Sequence, residues 1–268
     1  MKDAENIKRM VRDKYAGIVK SAGSSCCGPA ASSCCGTAEA EYSVFNDDYT
    51  KLDGYEAEAD LNLGCGLPTQ YAGIKKGDTV IDLGSGAGND VFVARSIAGE
   101  AGHVIGIDMT PAMINKALLN NQKLGYKNVD FRMGEIEDLP VNDNTADVVI
   151  SNCVLNLVPD KQKAFDEIHR VLKPGAHFCI SDVVVQGELS EGLKKSAEMY
   201  AGCVAGALQE EEYINKIETA GFSSIEIKTK KKIKLPDEIL NEYLDADALQ
   251  QLKENPVGIF SITVTGTK

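Results

Sequence analysis

Cysteines are the residues of this chain with the most distinctive chemistry, and the 268 residues include eight of them. Four stand in two adjacent pairs inside residues 21–40, a small-residue stretch that predicts a mobile loop: Cys26, Cys27, Cys34 and Cys35. Cys65, Cys153 and Cys203 follow at wide spacing, each beside glycine, asparagine or other small residues. The N-terminal segment has no apolar signal core, so we expect a cytoplasmic protein whose cysteines are thiols serving metal binding, redox chemistry or catalysis.

Two observations narrow the chemistry of these thiols. Cys179 falls in the middle of a predicted strand and is expected to be a small buried apolar residue. The chain has only three histidines, His103, His169 and His177, and none falls in a plausible substrate position. The commonest general base is therefore missing, which favours a substrate that needs none.

A glycine-rich turn is the strongest local signal for a cofactor. Asp82-Leu-Gly84-Ser-Gly86-Ala-Gly88 follows a short apolar run, at the point where a buried strand turns into a helix. A dinucleotide fingerprint needs glycine or alanine where this chain has Asn89, and a phosphate loop needs Gly-Lys-Ser/Thr. The turn therefore predicts a ligand without phosphates. Asp108, at the end of the next predicted strand, can accept hydrogen bonds from two ribose hydroxyls, or it simply caps the following helix.

The elements that must position these residues alternate between strand and helix. The first twenty residues have one apolar helical face. Short apolar strands are predicted at 78–84, 102–109, 128–134, 146–152 and 177–185, with helices between them, which indicates a parallel sheet covered on both faces. Residues 190–220 look mainly helical. The alternating segments 222–233 and 258–267 are expected to pair at one edge of the sheet.

Three segments, in order and at the right spacing, resemble motifs of the class I S-adenosylmethionine methyltransferases: VIDLGSGAGND, VIGIDMT and RVLKPGAHFCISDV. The resemblance implies a Rossmann-like α/β fold over residues 61–268. Its seven-stranded sheet is mostly parallel, with helices on both faces and the last strand antiparallel. It implies S-adenosylmethionine as cofactor, with Glu135 and Ile136 near the adenine. The predicted cofactor-binding residues are Asp82, Gly84, Ser85, Gly86, Asp108, Met109, Gly134, Glu135, Ile136 and Asn152.

Trivalent arsenic is a substrate that suits a site rich in cysteine and poor in bases. It is soft, binds thiolates and keeps a lone pair after forming three bonds to sulfur. The segments around the cysteines resemble the arsenite methyltransferases, from about residue 62 to 222: GCGLPTQYAGIKKGDTVIDLGSGAGND, NVDFRMGEIEDLPV, DVVISNCVLNLVPDK and AGCVAGA. We therefore expect methylation of arsenite, or of its thiol complexes, as a detoxification reaction.

The same resemblance assigns roles to the cysteines. It implies that Cys153 and Cys203 hold arsenic, with Cys65 as a further ligand or in a transient disulfide with an N-terminal cysteine. Two adjacent pairs compete for that last role, so Cys26, Cys27, Cys34 and Cys35 all stay open, and Cys35 is the candidate we name as catalytic. A thiol reductant such as glutathione or thioredoxin is expected as co-substrate.

Charge and composition set limits on partners and organisation. The net charge of −12 argues against nucleic acid or an anionic membrane as a partner. Three regions are expected: residues 1–60 as an N-terminal helix and cysteine-rich loop, residues 61–189 as the cofactor-binding core, and residues 190–268 as helices and strands that contribute to the arsenic site and complete the sheet.

Three alternatives remain for the function. The chain could methylate a small organic molecule such as a quinone precursor, in which case Cys153 and Cys203 would be dispensable. Residues 26–35 could bind structural zinc, although their adjacent pairs lack the Cys-x-x-Cys spacing of recognisable zinc sites. An arsenic sensor without catalysis conflicts with the intact cofactor motifs.

Overall fold

The computed structural model describes residues 2–22, 48–187, 206–233 and 258–268 of the chain. Seven strands lie in these ranges: β1 (Thr79–Leu83), β2 (His103–Asp108), β3 (Val129–Met133), β4 (Ala146–Asn152), β5 (Leu172–Gln186), β6 (Ser223–Ile233) and β7 (Gly258–Thr267). The helices there are α1 (Lys2–Ala22), α2 (Pro68–Tyr71), α3 (Asn89–Ala98), α4 (Pro111–Leu124), α5 (Lys161–Val171) and α6 (Glu210–Thr219).

The strands form one sheet in the order β3-β2-β1-β4-β5-β7-β6. Neighbours from β3 through β5 are parallel, and β7 runs antiparallel to both β5 and β6. The predicted fold is confirmed, including the antiparallel last strand and the pairing of the two tail segments. The chain order reverses direction between β1 and β4, so a crevice is expected at their carboxyl ends.

The core has two layers because successive residues of a strand point to opposite faces of the sheet. On β1, Val80 packs in the cluster that contains Phe92 of α3. Its neighbour Ile81 packs in the other cluster, with Phe165 of α5 and Tyr213 of α6. The rings of Phe165 and Tyr213 meet edge to face at 5.4 Å between centroids. Both faces of the sheet are thus covered by helices, as the apolar strands predict.

Proline and glycine mark the two ends of α4. Pro111 occupies the first helical position, and Gly125 ends the helix in a left-handed conformation. Thr110 stands at the N-cap position, but its side chain makes no capping hydrogen bond. Asp108 instead accepts a hydrogen bond from the Thr110 backbone N–H at 2.8 Å. The Asp108 carboxylate, and not the Thr110 hydroxyl, therefore accepts the hydrogen bond from the backbone N–H at the start of α4.

β5 is longer than predicted. It begins at Leu172, directly after α5 ends at Val171, so Pro174-Gly175 lies inside the strand. The register with β4 passes from the Ala146–Leu172 pair to the Val148–His177 pair. Residues 173–176 bulge out between these pairs, where the missing N–H of proline costs no ladder bond.

Several predicted features fall partly or wholly outside the described ranges. Of the helical region predicted at 190–220, the described part is α6 with the residues around it. The cysteine-rich loop lies outside, apart from its first residues, which belong to α1. Within the described ranges, no helix has both the length and the hydropathy that crossing a membrane requires. The division into three regions stays a prediction.

Candidate active site

A pocket opens at the carboxyl ends of the central parallel strands and encloses about 1100 Å³, its open mouth included. It lies where the reversal of strand order predicts a crevice. All ten residues predicted to bind the cofactor line this pocket: Asp82, Gly84, Ser85, Gly86, Asp108, Met109, Gly134, Glu135, Ile136 and Asn152. These residues belong to four separate segments of the sequence, and the structure brings the four segments together in one pocket.

The glycine turn after β1 is built for close approach. Gly84, Gly86 and Gly88 all have left-handed backbone angles, with φ of 66°, 52° and 102°. A Cβ on Gly84 would lie 2.5 Å from the Val154 side chain, so a larger residue does not fit there. The Gly86 N–H donates to Asp108 at 3.0 Å, which fixes the turn to the end of β2.

Two buried polar atoms inside the pocket are suited to hydrogen-bond a bound ligand. Within the described residues, the side-chain oxygens of Ser85 and Asn89 are buried and have no hydrogen-bond partner. Such atoms are normally satisfied, so a bound group is the natural partner for them. Lys8 is the one basic residue in the described lining of the pocket, which also contains six carboxylates: Asp60, Asp82, Asp90, Asp108, Glu135 and Glu137. These carboxylates and the negative charge they bring fit a cationic ligand such as S-adenosylmethionine.

Burial raises the pKa of the carboxylates at the centre of the pocket. Burial raises the pKa of Asp82 well above its usual range, and the charges of Asp90 and Asp108 raise it further. Burial also raises the pKa of Asp108, although backbone hydrogen bonds from Thr110 and Gly86 oppose that rise. A positively charged ligand would relieve this repulsion, since opposite charge favours the ionised form of a carboxyl.

Asp90 belongs to a buried network that the sequence analysis did not single out. The Tyr49 hydroxyl donates to Asp90 at 2.9 Å, and the Asn152 side-chain N–H donates to the Tyr49 oxygen at 2.6 Å and to the Gly66 carbonyl at 2.8 Å. Burial raises the pKa of Asp90 to about 6, against the lowering effect of the Asn152 and Tyr49 hydrogen bonds. The position of Asp90 just after the glycine turn was a usable signal, whereas nothing local pointed to Tyr49.

Helix α1 closes one side of the pocket, a role that its amphipathic pattern alone did not predict. Lys8, Val11 and Tyr15 contribute to the lining. The Lys8 amino group lies 2.7 Å from Glu135 and 2.6 Å from Glu137, so it ties the helix to the segment after β3. The N-terminal helix is thus part of the pocket wall.

Two of the predicted arsenic ligands, Cys65 and Cys153, meet beside this pocket. Their Sγ atoms and a carboxylate oxygen of Asp182 all lie within 4.8 Å of one another. Cys65 is 1% exposed, Cys153 4% and Asp182 0%. Cys153 itself lines the pocket. It leaves β4 with φ of 61°, a left-handed angle that is uncommon for a residue with a side chain and that clusters at functional sites.

The loop carrying Cys65 is fixed by contacts on both sides of the cysteine. Asn152 accepts a hydrogen bond from the Cys65 N–H at 3.0 Å, and the Ser261 hydroxyl donates to the Cys65 carbonyl. A Cβ on Gly64 would lie 2.7 Å from the Asn152 amide, and one on Gly66 would lie 2.5 Å from the Ser181 hydroxyl. The Gly-Cys-Gly sequence is therefore required for this close packing.

Asp182 is the third member of the cluster and was not predicted. It lies on β5, where the Tyr213 hydroxyl donates to one carboxylate oxygen at 3.2 Å and the Val183 N–H to the other at 2.9 Å. Burial raises the pKa of Asp182 to about 7, an effect that its hydrogen bonds and the charge of Lys161 oppose. Nothing in the sequence around this one aspartate of an apolar strand predicts that it lies beside two thiols.

The remaining predicted residues divide into two groups. Cys203 and all four N-terminal cysteines, Cys35 included, lie outside the described residues, so the structure places none of them. Cys179 is fully buried on β5, as expected, and burial raises the pKa of its thiol to about 12. None of the three histidines lines the pocket, in keeping with the prediction that no histidine base serves the site.

Comparison with known proteins places this geometry in context. A family model described as a methyltransferase domain matches residues 74–221. The arsenite methyltransferase of Halobacterium salinarum is 42% identical over 94% of this chain and 65% of that protein. The arsenite methyltransferase of Aquipseudomonas alcaligenes is 37% identical over 68% of this chain and 54% of that protein. The chain therefore spans less than two thirds of the length of these curated relatives.

A solved structure also resembles the chain. The crystal structure of an arsenic(III) S-adenosylmethionine methyltransferase from Chlamydomonas reinhardtii aligns with a TM-score of 0.65 at 37% identity. The match covers 76% of this chain and 67% of the algal one.

Proposed function

The chain belongs to the methyltransferase domain family and is related to its arsenite methyltransferases, and from that premise we propose that it methylates trivalent arsenic held by cysteine thiolates. S-adenosylmethionine is the methyl donor in this proposal. One observation carries it. The pocket that gathers the ten predicted cofactor-binding residues also reaches Cys153, whose sulfur lies within 4.8 Å of the Cys65 sulfur.

The pocket residues have distinct tasks toward the cofactor. S-adenosylmethionine supplies an electrophilic methyl group on a positively charged sulfur when it is bound. Asp108 accepts hydrogen bonds from ribose hydroxyls, with its carboxylate oriented by the Gly86 and Thr110 N–H groups. Ser85 and Asn89 provide side-chain oxygens that are otherwise without a partner in the described residues. Glu135 and Ile136 line the region assigned to adenine.

The thiols bind the substrate by exchange. Cys65 and Cys153 displace two ligands of arsenic, which are hydroxyls in free arsenite and thiolates in its thiol complex. Each cysteine proton leaves on the displaced group, as water or as a free thiol, and two arsenic–sulfur bonds form. Arsenic keeps its lone pair in this complex, so methyl transfer needs no general base. The absence of histidine from the pocket lining is consistent with that chemistry. The work of the protein is then mostly to hold arsenic in line with the methyl group and away from water.

The third thiolate and the reductant are further parts of the proposal. Cys203 serves as a ligand by resemblance, and one N-terminal cysteine, with Cys35 as the named candidate, pairs with Cys65. Arsenite arrives as a thiol complex, and a thiol reductant such as glutathione or thioredoxin keeps the cysteines reduced. These assignments rest on the sequence resemblance, since the residues lie outside the described ranges.

The test is to incubate the purified full chain with S-adenosylmethionine, arsenite and a thiol reductant, and to separate the products by chromatography with arsenic-specific mass detection. We expect methylated arsenicals that require all three additions. If S-adenosylmethionine binds and no methylated arsenic forms at any thiol concentration, the proposal is wrong and a small organic molecule becomes the substrate.

A further inference from the structure

Asp182 sits where arsenic chemistry does not require a carboxylate. Trivalent arsenic is satisfied by soft sulfur donors, and a carboxylate is a hard oxygen donor. Yet the Asp182 carboxylate lies within 4.8 Å of both thiol sulfurs and is 0% exposed. Two thiols and one carboxylate in a buried cluster form a ligand set suited to metal ions that bind both sulfur and oxygen, zinc above all.

The distances are compatible with one cation between the three groups. In a tetrahedral zinc site with bonds of about 2.0–2.3 Å, ligand atoms lie roughly 3.8 Å or less from one another. The three atoms here lie within 4.8 Å of one another, so movements of an ångström or less would complete the site. Such adjustments fall within the range of side-chain rotation.

Hydrogen bonds hold the Asp182 carboxylate and the backbone of each cysteine in place. Asp182 is oriented by the Tyr213 hydroxyl and the Val183 N–H, and Cys65 by Asn152. Cys153 is positioned by its N–H, which donates to the Ser181 carbonyl at 2.8 Å. Three strands or loops thus converge on one point with their backbones fixed.

We propose that Cys65, Cys153 and Asp182 form a binding site for a thiophilic divalent cation, with zinc as the natural occupant and cadmium as a close substitute. Each thiol releases its proton to solvent when its sulfur binds the cation, and the dication offsets the negative charge gathered in the buried cluster. Water can supply a fourth ligand, as it does in sites with three protein donors.

This site has a consequence that rests on the proposed function. Because the same two sulfurs hold arsenic, zinc and arsenite must compete for them. Zinc would then inhibit methylation competitively with arsenite, and a chelator would restore the rate. Cation binding itself does not depend on whether arsenic is the substrate.

The experiment uses the full chain in which Cys26, Cys27, Cys34, Cys35 and Cys203 are changed to serine, so that only the described cysteines remain. The protein is reduced with a phosphine, stripped with a chelator and titrated with cadmium while sulfur-to-cadmium charge-transfer absorption is recorded. We expect one cadmium per chain, with binding at least tenfold weaker in Asp182→Asn. Cys179→Ser is the matched control, since that thiol is buried on the same strand outside the cluster, and its binding should be unchanged.

X-ray absorption is measured at the zinc edge of the same five-serine protein after loading with zinc. This measurement makes the test independent of how well Asp182→Asn folds. Two sulfurs at about 2.3 Å and oxygen at about 2.0–2.2 Å are expected. Three or more sulfurs, no stoichiometric binding, or equal cadmium affinity in a folded Asp182→Asn protein would each overturn the proposal. Zinc binding by the five-serine protein, with no methylated arsenic formed by the unchanged chain, would refute the proposed function alone. Methylation by the unchanged chain, with no zinc bound by the five-serine protein, would refute this site alone.

Discussion

The side-chain oxygen of Asn152 accepts a hydrogen bond from the backbone N–H of Cys65 at 3.0 Å. Asn152 is also the residue directly before Cys153, so one side chain joins the two segments that carry the buried thiols. The same amide donates to Tyr49 and to the Gly66 carbonyl. Asn152 therefore ties together the two segments whose spacing sets the distance between the sulfurs of the proposed arsenic site.

Replacing Asn152 by alanine should loosen the cysteine pair. The Cys65 N–H and the Tyr49 hydroxyl would each lose a partner, and an unsatisfied buried polar group costs about 1–3 kcal/mol. We expect arsenite affinity, measured by calorimetry on reduced protein, to fall at least tenfold. Asn128→Ala is the control, because Asn128 bonds the Gly99 and Gly102 carbonyls away from the pocket. Equal arsenite affinity in the two variants would contradict the role given to Asn152.

Gly66→Ala tests how closely the Cys65 loop packs. The new methyl group would lie 2.5 Å from the Ser181 hydroxyl and 2.6 Å from its Cβ, so the loop or β5 must shift. Arsenite binding should weaken markedly while binding of S-adenosylmethionine changes little. Gly17→Ala provides the comparison, because a Cβ at that position of α1 meets nothing within 4 Å. Unimpaired arsenite binding in Gly66→Ala would show that the loop adapts freely.

Asp108→Asn should weaken cofactor binding. The substitution keeps one oxygen acceptor but removes the charge and the second acceptor, and a hydrogen bond to a charged group contributes about 1.5–3 kcal/mol. We expect roughly tenfold or greater loss of S-adenosylmethionine affinity by calorimetry, with the fold retained. Asp130→Asn, a carboxylate half-exposed on β3, should bind normally. If Asp108→Asn binds S-adenosylmethionine as tightly as that control, then Asp108 only stabilises the start of α4 and does not bind the cofactor.

Asp90 should make stability fall as pH rises from about 4 to about 6. The pKa of Asp90 is raised by burial to about 6, so over that window the unfolded chain loses its proton while the folded protein keeps it. The unfolded state then binds fewer protons, and the free energy of unfolding decreases with pH. Asp90→Asn removes this contribution, which is at most about 3 kcal/mol at 1.36 kcal/mol per pKa unit. In denaturant unfolding from pH 4 to 7, the free energy of unfolding of Asp90→Asn should therefore rise relative to that of the unchanged chain as pH increases. Free energies of unfolding that change in parallel with pH in the two proteins would contradict the assignment.

Local sequence pattern was enough to predict the sheet and a set of ten residues that the structure brings together in one pocket. The glycine turn, Asp108 and the segment at Glu135 each stand at the end of a short apolar strand, and parallel strands bring their carboxyl ends to one edge. That rule places residues from separate motifs in one pocket without any knowledge of side-chain contacts.

Residues that depend on long-range packing were missed. Tyr49 meets Asp90 across 41 positions of the chain, and Tyr213 meets Asp182 across 31. No periodicity or motif marks either pair, because each contact depends on tertiary packing: the segment of Tyr49 must pack on α3, and α6 must pack on β5. Lys8 was missed for the same reason, since α1 shows an apolar face but not what covers it.

The central claim is that Cys153 holds the arsenic that receives the methyl group, and Cys153→Ser tests it most directly. The variant and the matched Cys179→Ser protein would be assayed for methylated arsenic with S-adenosylmethionine, arsenite and a thiol reductant, with cofactor affinity measured in parallel. We predict that Cys153→Ser binds S-adenosylmethionine normally and loses methylation by at least a hundredfold, while Cys179→Ser retains both. Methylation by Cys153→Ser at the rate of the unchanged chain would contradict the account.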